Sequence, residues 1–169
     1  MTSERWRVRD ATARDMAAIA GIYSHYVLNS AATFESEPPG AAEMEERWLG
    51  VLGKGLPYLV SELKGMVVGY TYASLYRPRY AYRFTVESSV YVRADCVGEG
   101  MGRILMEELI SACEEKGFRQ MLAVIGDSAN AASIRLHERL GFRRVGVLEC
   151  VGFKFERWVD TVFMQRPLG

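Results

Sequence analysis

The chain carries no surplus of charge. Among 169 residues, 21 Lys and Arg stand against 21 Asp and Glu, a formal net charge of zero. A protein that collects nucleic acid does so by neutralising many phosphates, and this balance offers no long-range field for it. Nucleic-acid binders and acidic-tail proteins are therefore set aside. Cysteine is scarce and odd in number. Cys96, Cys113 and Cys150 form no C-x-x-C pair, and His25 and His137 are the only histidines. This speaks against a disulfide framework, a zinc site and a Cys–His nucleophile, and leaves three reduced thiols packed as small apolar residues. No metal is expected. No stretch approaches 18 unbroken apolar residues, and the opening MTSERWRVRD holds no apolar signal core. The expected setting is the cytoplasm, with no membrane partner. Repeats and low-complexity tracts are also missing.

What is present suits one domain over residues 1–169. Hydrophobic residues make up 49% of the chain, enough at this length to bury roughly two-thirds of the unfolded surface without a covalent staple. Trp6 to Arg9 alternates as a short strand, and Thr12 to Asp15 has the form of a capping box. A helix follows, with Met16, Ile19, Ala20, Tyr23 and Val27 on one stripe. After the loop Glu37-Pro38-Pro39-Gly40, Met44, Trp48 and Leu52 recur every four residues in a second helix over Ala42 to Leu52. From Tyr58 the period becomes two. Tyr58 to Leu63 and Met66 to Ser74 read as strands joined by a hairpin at Lys64-Gly65, and Phe84 to Val92 as a third. A helix opens in Gly98-Glu99-Gly100-Met101-Gly102 and runs to Lys116, stopped by Gly117. Met121 to Ile125 is a strand, Asn130 to Leu140 a helix ended by Gly141, and closing strands lie near Arg144 to Cys150 and Trp158 to Gln165. The order predicts an α/β (mixed α+β) fold, a largely antiparallel sheet with helices on both faces.

Val90 to Arg103 is a strand, a glycine-rich turn and a helix start, which is the physical recipe for a phosphate cradle. Glycines let consecutive N–H groups point into one concavity, and the helix N-terminus adds partial positive charge. No Gly-Lys-Ser/Thr follows, so this is not a Walker loop, and the strand order does not suit a dinucleotide fingerprint. On spacing alone, a tight turn without a ligand is an equally good reading.

Other segments decide the matter. Thr85 to Val92, Ala123 to Gly126, Asn130 to Glu138, Leu140-Gly141-Phe142, Gly152 to Phe155, Trp158 to Asp160 and Phe163 to Arg166, with Ala32 to Pro38 near the start, together span nearly the whole chain. With the glycine loop they resemble the GNAT superfamily of acetyl-CoA-dependent N-acetyltransferases. The likeness is greatest to the branch that acetylates phosphinothricin and methionine sulfoximine or sulfone. The resemblance implies about seven strands flanked by about four helices, with the sheet splayed at the cofactor site, acetyl-CoA as co-substrate, and a homodimer. The loop pattern of the family, Gln/Arg-x-x-Gly-x-Gly/Ala, falls on Val97 to Gly102. Valine stands where the family carries a side-chain donor, so the backbone of Gly98, Glu99, Gly100, Met101, Gly102 and Arg103 is left to hold the pyrophosphate.

An alkyl ammonium must lose a proton before its nitrogen can attack a thioester. Glu87 sits mid-strand, an expensive place for a lone carboxylate unless it is paired, for instance with Arg83, or used. The resemblance implies that it is the general base, acting through a water. It likewise implies that main-chain groups of Val90, Tyr91 and Val92 hold the thioester carbonyl, and that Asn130 and Ser133 contact the pantetheine arm. His137 falls where many members of the superfamily carry a tyrosine near the cofactor sulfur. An imidazole there would protonate the leaving thiolate or relay the proton from the amine, and a histidine covering one helix face is the competing reading. His25 reads as structural.

Arginine and tyrosine crowd the segment Tyr76 to Phe84 just before the strand of Glu87. Guanidinium forks suit carboxylates and phosphinates. By family similarity Arg77, Arg79 and Tyr82, with Phe34, Ser89 and Glu87, line the acceptor pocket, while a solvated surface or a dimer contact is the alternative for the loop. The expected activity is direct transfer of acetyl to the primary amine of a small amino-acid-like acceptor. Two alternatives stand beside it: the same chemistry on an antibiotic, polyamine or peptide amine, and a non-catalytic acyl-CoA-binding module.

Overall fold

A computed structural model describes residues 6–169. The first five residues, and with them half of the opening segment read above for a signal core, lie outside the described residues. The elements follow in the order β1 (Arg7–Asp10), α1 (Met16–Asn29), α2 (Ala41–Gly53), β2 (Tyr58–Leu63), β3 (Met66–Leu75), β4 (Thr85–Val92), α3 (Met101–Glu115), β5 (Gln120–Gly126), α4 (Ala131–Arg139), β6 (Arg143–Lys154) and β7 (Arg157–Pro167). That is the order read from periodicity. The capping-box segment forms a 3-10 turn over Ala13–Asp15 ahead of α1, with the Thr12 N–H donating to the Asp15 carboxylate at 2.7 Å. Arg9 then clips Asp15 at 2.8 Å and Glu62 at 2.7 Å, tying the entry of α1 to β2.

The strands form one sheet in the order β1-β2-β3-β4-β5-β7-β6. All neighbours are antiparallel except β4 and β5. Alternation sends successive side chains to opposite faces. On one face Ala73, Val86, Met121 and Ala123 pack with Met106 and Leu109 of α3 and Ile134 of α4. On the other, Tyr58, Val60 and Tyr70 pack with Ile19, Tyr23 and Val27 of α1 and Met44 of α2. Tyr58 and Tyr72 stack on this second face with ring centroids 4.8 Å apart.

Two expectations are corrected. Cys96 and Cys113 are buried thiols, but Cys150 is exposed, because β6 is the edge strand and its residues up to Val151 face solvent. The closing hairpin is also longer than periodicity suggested. β6 bulges between Leu148 and Gly152, where Cys150 takes a φ of 55°, and then resumes to Lys154.

Candidate active site

The parallel ladder between β4 and β5 runs only from Thr85 opposite Gln120 to Ser88 opposite Ala123. Both strands continue, β4 to Val92 and β5 to Gly126, without pairing to each other. They diverge, and the gap opens into a cleft of about 1090 Å³ walled by Ser88–Val92 on one side and Ala123–Asp127 on the other. Main-chain groups on the β5-facing edge of β4 beyond Ser88 therefore look into the cleft. Val90, Tyr91 and Val92 line it, and the Tyr26 hydroxyl, from the end of α1, donates to the Val92 carbonyl.

At the floor, the chain passes Val97 and reaches α3 through Gly98 (φ 86°) and Gly100 (φ 88°). Both lie in the left-handed region, which costs a residue with a Cβ about 1 kcal/mol or more. The turn delivers the first N–H groups of α3, on Met101, Gly102 and Arg103, without a preceding helical turn to accept them. Gly98, Gly100, Met101, Gly102 and Arg103 all line the cleft; Glu99 does not. Val97 is 58% exposed at the rim. Opposite, Asn130 caps α4 by accepting the Ser133 N–H at 3.3 Å. Its amide N–H group makes no hydrogen bond among the described residues and remains available to a ligand. Asn130 and Ser133 both line the cleft. Donors at a helix end, a free amide and an elongated gap fit a phosphate-bearing cofactor with a flexible arm.

Glu87 lies in the paired half of β4, facing Ser74 on β3 and Leu122 on β5, on the same face of the sheet as Ser89 and Tyr91. It is half-buried and makes no ion pair or hydrogen bond among the described residues. Arg83 is occupied elsewhere: its guanidinium stacks on Tyr80 at 3.9 Å and Phe84 at 4.4 Å and donates to the Tyr80 carbonyl at 3.1 Å. With no cation to hold it ionised, burial pushes the Glu87 carboxyl above the usual glutamate range. A carboxylate of that kind takes a proton more readily near neutral pH.

His137 is 4% exposed and lines the cleft. Its Nδ1 stands 2.7 Å from the Ser133 carbonyl oxygen, and its ring meets Phe142 edge-on at 5.0 Å. A carbonyl only accepts, so Nδ1 carries the proton and Nε2 presents a lone pair. Burial also holds the imidazole below the ordinary histidine value of 6.5.

The acceptor residues are distributed. Arg77, Arg79 and Tyr82 are exposed and lie outside the cleft, in the loop that leaves β3 at Leu75 and enters β4 two residues before Glu87. Arg77 sits 5.2 Å over the Tyr76 ring, which meets Tyr82 edge-on at 5.5 Å. Ser89 lines the cleft. Phe34 is at the other end of the β4–β5 pair, against Gly126 and Gly152. Sequence reasoning missed several residues at this site. His25, read as structural, lines the rim together with Tyr26. Arg135 and Arg139 add positive charge along the cleft, and their four-residue spacing on α4 was the available signal, whereas Arg157 is paired with Asp127 at 2.7 Å.

A family model described as an acetyltransferase (GNAT) domain matches residues 8–163. The chain is 54% identical over 155 residues to a phosphinothricin N-acetyltransferase of Alcaligenes faecalis, covering 92% of this chain and 79% of the relative. It is 42% identical to an L-methionine sulfoximine/L-methionine sulfone acetyltransferase of Pseudomonas paraeruginosa, covering 95% and 94%. Among solved structures, a phosphinothricin acetyltransferase from Sinorhizobium meliloti in complex with acetyl-CoA superposes with a TM-score of 0.94 at 48% identity, covering 98% of this chain and 89% of the other.

Proposed function

The chain belongs to the GNAT family of acetyltransferases, and from that premise we propose that it acetylates the primary amine of a small amino acid of the phosphinothricin, methionine sulfoximine or methionine sulfone type. The observation that carries the reading is Glu87, a half-buried carboxyl with no cationic partner on the strand that walls the cleft. The names of the relatives support the acceptor class, and acetylating such an amine is a route to antibiotic resistance.

Acetyl-CoA supplies the acetyl group as an activated thioester. The N–H groups at the start of α3 and the Asn130 amide hold its polar parts, and the exposed edge of β4 at Val90 to Val92 offers donors for its carbonyl. Glu87 takes the proton of the acceptor ammonium through a water. His137, neutral with its lone pair on Nε2, receives a proton before it can give one, so it acts as a relay toward the sulfur rather than as a resting acid. Arg77 and Arg79, in the loop before β4, grip the acceptor carboxylate or phosphinate.

We further propose a cytoplasmic homodimer in which each copy is a single domain. Val145, Val147, Leu148, Val151 and Phe153 are exposed along β6, and an apolar edge strand of that length is ordinarily covered. The decisive experiment for the activity is an acceptor panel read by free thiol release from acetyl-CoA. Phosphinothricin and methionine sulfoximine are expected to be acetylated well ahead of polyamines and peptides. A chain that binds acetyl-CoA but releases no thiol with any acceptor is a binding module instead.

A further inference from the structure

Lys154 ends β6 at 6% exposure. Its ammonium donates to the Ser30 carbonyl and to the Thr33 carbonyl, each at 2.7 Å, and forms no ion pair within 4 Å among the described residues. Burial lowers its affinity for the proton, opposed only by the more distant Glu35. Such a position, between Phe153 and Phe155 in a hairpin, is more cheaply filled by an apolar side chain. The two carbonyls that it holds belong to the segment between α1 and α2. That segment contributes Ser30, Ala31 and Ala32 to the wall of the cleft, and the Ala31 carbonyl lies against Gly126 at the end of β5.

Two glycines make the same connection. A Cβ on Gly152 would stand 2.4 Å from the Phe34 ring, and one on Gly126 would stand 2.1 Å from the Ala31 carbonyl oxygen. Nothing larger than glycine lets the segment lie this close. Beyond Phe34, Glu35 pairs with Arg47 of α2 at 2.8 Å, and its carboxylate comes within electrostatic reach of Tyr72, as does that of Glu87. Residues 30–35 thus cross the open end of the sheet from the hairpin to the face that carries Glu87, and their height above it is set by Lys154 and Gly152.

We infer that Lys154 is a positioning residue for the acceptor: through the Ser30 and Thr33 carbonyls it holds the 30–35 segment at the distance from β4 that a small amino acid requires. Gly152 sets the same distance through Phe34. The inference rests on the acetyl transfer to a small amine proposed above. It predicts that the β6–β7 hairpin, remote from the reacting groups in sequence, governs acceptor KM.

The test compares Lys154→Met, Gly152→Ala and the double variant with the wild-type chain. Each single change is expected to raise acceptor KM about tenfold while kcat and acetyl-CoA KM stay within about threefold. Because both act on one segment, the double variant should fall short of the product of the two. A second readout needs no acceptor: amide hydrogen exchange over residues 31–35 should accelerate in Lys154→Met. Unchanged acceptor KM in Lys154→Met, or a rise shared equally by acetyl-CoA, overturns the inference, as does wild-type protection of the segment. If Gly152→Ala does not fold, Lys154→Met decides alone. If the wild-type chain acetylates no acceptor, the proposed activity fails, and the exchange measurement still judges the tether.

Discussion

The Nδ1 of His137 and the carbonyl oxygen of Ser133, one helical turn earlier, are 2.7 Å apart inside α4. The backbone thereby dictates which imidazole nitrogen carries the proton and which keeps a lone pair. Replacing His137 with Phe removes the proposed relay and is expected to lower kcat about tenfold to hundredfold without weakening acetyl-CoA binding. The stability of the fold should respond as well. A histidine held below its ordinary value stabilises the folded chain above pH 6.5, and that contribution is lost as pH falls through the lower folded value. Thermal melts between pH 7 and pH 5 should therefore fall more steeply for the wild-type chain than for His137→Phe, and parallel curves would exclude the shift.

Glu87→Gln should leave acetyl-CoA binding intact and cut turnover at least about a hundredfold. Its stability effect runs the other way. Burial raises the carboxyl above 4.5, so the stability of the protonated form is present at acid pH and lost as pH rises through the folded value. At pH 8 the glutamine variant should melt higher than the wild-type chain, and the two should converge near pH 4. An active but less stable wild type is the trade expected of a base held in reserve. Near-wild-type rates in the variant would remove Glu87 from the reaction.

Val97 is exposed where it lines the cleft, and in the proposed cofactor site it stands where a side-chain donor would meet the pyrophosphate. Val97→Arg should tighten acetyl-CoA about threefold to tenfold, the return of one charge-assisted hydrogen bond in a wet site, with no change in melting temperature. Titration calorimetry reads this directly. Unchanged affinity would mean that the α3 N–H groups saturate the anion on their own.

A charge on the outer strand tests the assembly. Val147→Glu places a carboxylate on an exposed apolar edge where a second copy would lie. Light scattering after size exclusion should show the mass halved relative to the wild-type chain. A wild-type chain that already runs as a monomer would refute the dimer without touching the activity.

Much of this architecture was legible in the residues. The element order followed from periodicity, and the left-handed turn into α3 from Gly98 and Gly100, because those signals are local. What was not legible depends on distant parts of the chain. The strand ending at Cys150 in the sequence reading runs on to Lys154, hidden by a bulge and by a turn at Phe155 and Glu156, both with positive φ and neither a glycine. The partner of Arg83 is an aromatic pair rather than Glu87, a choice made by loop geometry. Phe34 is placed by two glycines 92 and 118 positions away in the chain, and no window of sequence contains that contact.

The short parallel ladder between β4 and β5 has a mechanical side. Only four residue pairs join strands β1 to β4 with strands β5 to β7, and the rest of that boundary is a gap bridged on one face by the apolar packing of α3. The boundary is a seam. A ligand lying in the gap would take the place of the missing rungs, so a molecule bound there for the chemistry would also suture the sheet. Slow exchange of the amides on both sides of the seam should then rise and fall together with ligand occupancy, and the empty chain should open there first.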